Sequence, residues 1–525
     1  MFDELIFMMN YSLSSFLLDV APINLLEKYI QSNLSSREKF YRSITETDPK
    51  LLEKIGKRKT MYIFKRAAKS IPHYRKFLSK RKIHPDEIRS FDDFIKKVPV
   101  TDSRRYIDTS KFLSDMCLKN HLCKAEILER SSGFTGKPHT WPRSHEEEEE
   151  AKKFFSFGID LLYNTKKYNT LLINGFALGT WVSGVDIIKI VGDSCTSINP
   201  GLNEEEVLDI YQEYRKEFDQ IILAGNPVFL KNIIEEGINK KIIKNEDRLS
   251  LLTGGESITE EFRDYLYRKI NSSQKRNGDS SKGFIYSGFG ASDIGIIGIN
   301  ENQDTVNIRR VARNNKALFR RLFGNSAVLP MLFQYDPTKY FIRQLKNKEL
   351  EFTTCSLNVI MPLIKYNLHD TGNVYSYKEM LDILDECRIK ITPKFKLPFV
   401  SVEGRSNQSI KFCSSFVYPE NIINGICSVK RLNELTTGKF RMSIVHDKKQ
   451  NETLLIEIQL KERKFPQKKV EQDYEKAIVS SLLKENKDLV QDIKSLEKKK
   501  TEAVKVKIFR FEEYPYKDSL KVRYI

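Results

Sequence analysis

Two patterns of apolar and polar positions divide the chain. Over about Met1–Phe112 the pattern is that of helices, opening with an amphipathic stretch, Leu5–Ile30, whose apolar runs are flanked or interrupted by Asp3, Glu4 and Asp19. Further along, short apolar runs end in glycine turns. Leu171-Leu172-Ile173 runs into Asn174-Gly175, and Ile221-Ile222-Leu223 into Gly225-Asn226-Pro227. Leu251-Leu252 leads to Thr253-Gly254-Gly255-Glu256, and Phe284-Ile285-Tyr286 to Gly288. Helical patterns follow at least two of these runs. Asn226-Pro227 reads as an N-cap with proline at the first helical position, and Ser257-Ile258-Thr259-Glu260 as a capping box before Phe262 and Tyr265-Leu266. Strands alternating with helices predict an α/β fold with a parallel, doubly wound sheet. In such sheets ligands sit beyond the carboxyl ends of the strands, so a crevice is expected near Gly175, Gly225, Gly255 and Gly288.

Ser144 reads as the N-cap of a helix whose first turns hold Glu146–Glu150, acids that suit the positive end of a helix and are read as structural. Asn271–Lys282 is a polar excursion between elements. The pattern changes again over Pro398–Gly404. Beyond it, Leu454-Leu455-Ile456-Glu457-Ile458, a helical Val470–Leu483 and Val504-Lys505-Val506-Lys507-Ile508 predict a compact α+β unit, with Lys498-Lys499-Lys500 as a solvated helix end or loop. The expected division is a large domain over 1–402 and a smaller one over 403–525.

Composition narrows the class. With 525 residues, 40% hydrophobic and 30% charged, the chain has the length for one large and one small core and the balance of a globular enzyme. Seven scattered cysteines, none spaced as Cys-x-x-Cys, argue against a disulfide framework or structural zinc, and seven histidines form no metal-binding pair. No basic segment precedes the first apolar stretch and no run reaches membrane-span length, so a cytoplasmic protein is expected. The net charge is +18. At the scale of the whole chain basic residues interleave with acids, with no aromatic-basic recognition pattern, which argues against nucleic-acid binding.

The candidate chemistry starts at Ser131-Ser132-Gly133-Phe134-Thr135-Gly136-Lys137-Pro138. Glycines let backbone N–H groups close around a phosphate, hydroxyls add donors and the lysine adds charge. It is not a Walker A loop: two residues, not four, separate the first glycine from Thr135-Gly136-Lys137's Gly-Lys pair, and Pro138 follows the lysine. Instead the loop resembles the ATP-phosphate loop of the adenylate-forming (ANL) ligases, in their phenylacetate–CoA ligase-like branch. The order Ile71-Pro72-His73-Tyr74-Arg75, Ile83-His84-Pro85-Asp86 and Phe94-Ile95-Lys96-Lys97-Val98-Pro99-Val100-Thr101 resembles the amino-terminal region of the same branch, except that Asp102 stands where a lysine is common.

Further motifs follow in the order that resemblance requires. Gly254, Gly255 and Glu256 resemble the turn beside adenine. Phe289-Gly290-Ala291-Ser292-Asp293 resembles the motif in which the aromatic packs on adenine, the hydroxyl contacts phosphate and the carboxylate holds Mg2+. Asp293 replaces the usual glutamate and remains a hard-oxygen ligand; taken without the resemblance it reads equally as a helix N-cap. Met361-Pro362-Leu363-Ile364-Lys365-Tyr366-Asn367-Leu368-His369-Asp370 resembles the segment whose last carboxylate accepts both ribose hydroxyls, with Lys365 in place of arginine. Gly404-Arg405-Ser406-Asn407 resembles the hinge into the smaller domain, where Arg405 would contact nucleotide and Asn407 replaces aspartate. Near the end, Lys521 occupies the place of the family's adenylation lysine, with Lys517 the alternative.

The resemblance covers about residues 60–525 and implies an AMP-forming acid–thiol ligase using ATP and Mg2+. A carboxylic acid would be activated as its acyl-adenylate, then passed to CoA or a carrier protein. Ser414 replaces a glycine that lets the thiol arm approach, so an amine, protein or AMP-transfer acceptor stays open, as does a non-catalytic nucleotide binder. Residues of the acid pocket are expected from Asn174–Trp181 and Gly225–Pro227, where Phe176 and Trp181 suit an apolar or aromatic acid but equally suit core packing.

Overall fold

The computed structural model describes residues 18–131, 138–178, 184, 187–188, 191, 193–244, 246–270, 283–295, 299–326, 328–405, 410–412, 415–446, 452–485 and 503–514. From Ile23 to Lys97 the chain is helical, as its periodicity predicts, with helices at Ile23–Asn33, Arg37–Thr45, Pro49–Ser70, Pro72–Ser79 and Phe91–Lys97. The part of the expected opening helix before residue 18 lies outside the described residues, as does the 271–282 excursion.

At the centre is one nine-stranded sheet. Its order is Thr196–Ile198, Thr170–Asn174, Gln220–Gly225, Leu249–Gly254, Ile285–Gly288, Ile299–Asn300, Met331–Tyr335, Phe399–Val402 and Val374–Tyr375. The first five strands are parallel, joined by helices Glu204–Tyr214, Pro227–Asn239 and Glu260–Ile270. Alternate side chains enter opposite cores, as the two-residue period of a strand requires. Leu171, Ile173, Ile221 and Leu223 pack with Leu208, Ile233 and Phe262 of those helices. Leu172, Ile222 and Ala224 pack on the other face against Ile159 and Tyr163 of helix His145–Tyr163. Both faces are covered, so the sheet is doubly wound as expected. Its other four strands, however, pair antiparallel, making the sheet mixed rather than wholly parallel.

A second sheet, wholly antiparallel, runs in the order Tyr340–Gln344, Glu349–Thr354, Tyr366–Thr371 and Gly404–Arg405. A separate apolar core begins at Phe412 and includes Phe440, Ile456, Tyr474, Ile478 and Ile508. It lies between helices Pro419–Cys427 and Lys468–Glu485 and a three-stranded sheet of Thr436–His446, Glu452–Leu460 and Val504–Phe509. That matches the α+β pattern expected of the carboxy-terminal part.

Candidate active site

Register aligns the glycine turns at one edge of the large sheet. Asn174 pairs with Ala224, Gly225 with Thr253, and Gly254 with Gly288, all in parallel strands, so the four carboxyl ends lie side by side. Gly175 must stay small: a Cβ there would overlap the Phe229 ring, whereas one on Gly254 would meet the Phe176 ring at 3.4 Å, an ordinary contact. Gly255 has φ +82° with open space where a Cβ would point, the geometry of an exposed turn at a strand end. Asn174, fully buried, accepts the Phe176 N–H at 3.1 Å and donates to the Asn199 side chain at 3.1 Å, fixing how the chain leaves the strand.

The next strand leads into the Phe289–Asp293 turn, and three segments hold that turn in place. The buried Arg143 guanidinium donates to the Ser292 carbonyl at 2.9 Å, the Tyr340 hydroxyl donates to the Ile294 carbonyl, and the Tyr366 hydroxyl donates to the Asp293 carboxylate at 2.6 Å. Asp293 is therefore gripped through the peptides on both sides and through its own side chain. It lies in a turn bridged by Ala291 and Gly295, not at the start of a helix, which removes the N-cap reading. An aspartate is placed by one fewer torsion than a glutamate, so a fixed backbone fixes its carboxylate more directly. Burial, then the neighbouring Asp293 carboxylate, raises the Tyr366 phenol well above its ordinary value and keeps it a donor. Phe289 packs its ring on Phe333 and Phe352, the latter stacked at a centroid distance of 6.2 Å.

Arg143 has two more partners, Glu129 at 3.1 Å and Glu147 at 3.1 Å, all three side chains being buried. Burial pushes the Glu147 carboxyl up to about 7 against the pull of Arg143. With Glu147 protonated, one cation faces one anion, the balance a buried cluster needs. Two of the five acids Glu146–Glu150 thus turn inward: Glu147 to Arg143, and Glu150 to the buried Lys339. Ser144 caps their helix as expected, accepting the Glu147 N–H at 3.1 Å.

The hairpin of Ala125–Arg130 and Thr140–Ser144 carries the candidate phosphate loop. Its neck is closed by two hydrogen bonds: Ser131 N–H to the His139 carbonyl at 2.9 Å, and His139 N–H to the Ser131 hydroxyl at 2.8 Å. The Ser131 oxygen therefore works at the neck. Ser132, Gly133, Thr135, Gly136 and Lys137 lie outside the described residues. From the neck, Trp141 packs edge-on against Tyr366, which joins the hairpin to the Asp293 turn a second time.

Asp370 is buried on the same strand as Tyr366, and pairs in register with Arg405. That strand is set by the amino-terminal motif: Thr101 donates its N–H to the Lys365 carbonyl at 2.9 Å and its hydroxyl to the Ile364 carbonyl at 2.8 Å. Lys365 is held by backbone carbonyls. Its ammonium donates to the Ile95 and Val98 carbonyls at 2.8 and 2.7 Å, at the end of helix Phe91–Lys97, and burial pulls its pKa down to about 8. Asp102, buried, accepts the Arg105 N–H at 2.7 Å.

The carboxy-terminal unit packs against the helices that follow these strand ends. The Ser257 hydroxyl, just after Gly254, Gly255 and Glu256, bonds to Glu420 on helix Pro419–Cys427. The helix begins at Glu260 rather than after Ser257, so Thr259 caps it in place of the expected Ser257, its hydroxyl accepting the Phe262 N–H at 3.1 Å. Lys231 donates to the Thr436 carbonyl at 2.8 Å, Lys461 pairs with Glu235, and Lys269 with Glu434 at 2.8 Å.

Of the residues predicted from sequence, Gly254, Gly255, Glu256, Phe289, Gly290, Ser292 and Asp293 lie where two paired strands of the large sheet end and lead on, while Asp370 lies on the second sheet, on the strand whose Tyr366 bonds Asp293. Lys521, Lys517, Asn407, Ser414 and Trp181 lie outside the described residues. Arg143, Tyr340 and Tyr366 are absent from the sequence-derived site. The signal available for Arg143 was its spacing of four from Glu147.

No protein-family model and no curated protein matches the chain. Solved structures do match. 2-Hydroxyisobutyryl-CoA ligase in the postadenylation state with R3-HIB-AMP gives a TM-score of 0.63 at 11% identity, over 94% of this chain and 92% of that one. An open conformation of 2-hydroxyisobutyryl-CoA ligase in complex with 2-HIB-AMP and CoA gives 0.54 at 11% identity, over 94% and 95%. The likeness establishes the fold: the α/β architecture of an acyl-CoA ligase, with a large amino-terminal part and a smaller carboxy-terminal one. Among the described residues no helix is long and apolar enough to cross a membrane.

Proposed function

We propose that this chain is an ATP-dependent, AMP-forming acid–thiol ligase of the phenylacetate–CoA ligase-like kind, with 1–402 as the nucleotide and acid domain and 403–525 as the smaller domain. The observation that carries the reading is the bond from Tyr366 to Asp293 at 2.6 Å. It joins two motifs 73 residues apart in sequence, on a fold shared with an acyl-CoA ligase. Asp370 would receive the ribose hydroxyls, the 131–137 loop the β- and γ-phosphates, and Glu256 and Phe289 would line the adenine side. Arg405 would face the nucleotide from the hinge.

Asp293 fits Mg2+, since its carboxylate is a hard-oxygen donor held in place from three sides. When bound, Mg2+ supplies neutralisation of phosphate charge. The chain's own residues do the positioning. The acid's oxygen forms a bond to the α-phosphorus as the bond to the pyrophosphate oxygen breaks, with no protein nucleophile required. Lys521 would face the carboxylate and α-phosphate during that step. A thiol then displaces AMP from the mixed anhydride. Phe176 against Gly254 suits an apolar acyl group beside the crevice.

A second reading, transfer to an amine or a protein group, is favoured by Ser414 in place of the glycine expected near a CoA arm. Product analysis tests the shared part: consumed ATP should appear as AMP and pyrophosphate, only with a carboxylic acid present. ADP and phosphate as products would sink both readings.

A further inference from the structure

The charge excess is unevenly distributed, contrary to the whole-chain reading. Residues 50–82 carry thirteen basic side chains against one acid, Glu53, a net +12; the other 492 residues share the remaining +6 of the +18. Helices Pro49–Ser70 and Pro72–Ser79 hold most of this stretch.

Five of its cations have internal work, Arg81 by donating to the Phe77 carbonyl at 3.2 Å and lying over the Phe77 ring at 3.7 Å. Lys54 pairs with Asp19 at 2.7 Å, Lys59 with Glu27 at 2.7 Å, and Arg58 and Arg66 donate to the Ala21 and Leu357 carbonyls at 2.8 and 2.6 Å. Others point outward. Lys65, Lys69, Arg75, Lys76, Lys80 and Lys82 are exposed, and among the described residues none of them makes a salt bridge; Lys57, also exposed, faces Glu53 and lies 5.8 Å over the Phe91 ring. On the first helix Lys57, Lys65 and Lys69 fall within about 120° of arc and span about 18 Å, while the opposite side buries Leu52, Ile63 and Ala67. On the second, Tyr74, Phe77 and Leu78 are buried while Arg75 and Lys76 face water.

We propose that this face docks the protein on a surface of anionic lipid headgroups. Five of the six outward cations are lysines, point charges suited to a diffuse field rather than to the planar, bidentate contacts arginine makes with single phosphates or bases. A helix stripe is convex, so it meets a plane but does not enclose a strand as a single-stranded nucleic-acid groove does. The exposed apolar side chains nearby include Tyr62 at 39%, Phe112 at 56%, the latter beside Leu113–Met116, which packs on the second helix, and Val20 at 62%, between Asp19 and Ala21, which bond Lys54 and Arg58 of the first helix. Single aromatics among lysines suit the headgroup layer, whereas a protein partner needs a contiguous apolar centre.

The test is co-sedimentation of the full chain with phosphatidylcholine vesicles containing about 30% phosphatidylserine, at about 0.1 M salt, where exposed charges still act over a Debye length. Binding should exceed that to pure phosphatidylcholine by at least about tenfold and be lost at high salt. The triple variant Lys57→Gln, Lys65→Gln, Lys69→Gln should bind on the order of 10²-fold more weakly. A second triple variant, Lys430→Gln, Lys468→Gln, Lys469→Gln, has the same net charge, alters exposed lysines of the carboxy-terminal part, and should bind like the parent. Equal binding to neutral vesicles, or equal loss in both triple variants, overturns the proposal. So does salt-sensitive binding to an RNA or DNA oligonucleotide that is tighter than binding to the anionic vesicles.

Discussion

Replacing Lys521 by alanine is expected to slow acyl-adenylate formation by about 10²–10³-fold, the size of effect seen when one preorganised charge donor is removed from a transition state. The reason is electrostatic. A carboxylate and the α-phosphate approach each other as two anions, and an ammonium between them offsets a repulsion that grows as the bond forms. The second half-reaction makes no such demand, because the mixed anhydride is already formed when the thiol attacks. Thioester formation from a supplied acyl-adenylate should therefore keep its rate. Single-turnover assays of each half separate the two. Equal loss in both halves contradicts the role, and the same pattern for Lys517→Ala instead would move the role to that residue.

Arg143→Met is expected to be the most damaging core substitution, lowering unfolding stability by about 3–5 kcal/mol, because it strands a buried carboxylate without its partner. The buried guanidinium bonds Glu129, Glu147 and the Ser292 carbonyl at once. Protein that folds should also lose the fixed position of Asp293 and require more Mg2+ for half-maximal ATP binding, with metal-free ATP binding unchanged. Glu147→Gln is the companion measurement. Burial pushes the Glu147 carboxyl up to about 7, so glutamine copies its protonated form and keeps the oxygen that Arg143 contacts. Its stability should stay within about 1 kcal/mol of the parent. Denaturant melts read both variants; a silent Arg143→Met or a severe Glu147→Gln contradicts this charge balance.

The alignment of the strand ends was legible because its cause is local. Each short apolar run stops at a glycine where the strand stops, and parallel pairing then brings Gly225, Gly254 and Gly288 into line. Asn226 and Ser144 cap their helices as their sequences specify, accepting the Phe229 and Glu147 N–H groups at 2.8 and 3.1 Å. The antiparallel half of the sheet was not legible. Ile299–Asn300 and Val374–Tyr375 are two residues long, too short to show a period, and exist because longer neighbours pair with them.

Ser257 shows a different limit. Its sequence favours capping, but the helix begins at Glu260, so Thr259 takes the cap while the Ser257 hydroxyl donates to a carboxylate 163 residues away. Lys365 and Arg143 are long-range in the same sense: their acceptors, the Val98 and Ser292 carbonyls, are backbone atoms that no side-chain pattern announces. The sequence motifs named the groups proposed to face a nucleotide. The contacts that hold the Asp293 turn came from tertiary structure.

The most direct measurement is carboxylate-dependent exchange of labelled pyrophosphate into ATP, with Mg2+ and no thiol or other acceptor, across aryl, fatty and amino acids. An adenylate-forming enzyme runs its first half-reaction backwards under these conditions. Exchange with one class of acid, lost in Asp370→Ala, is the predicted result. ATP binding without exchange for any acid would contradict it, leaving a nucleotide-binding protein on a ligase fold.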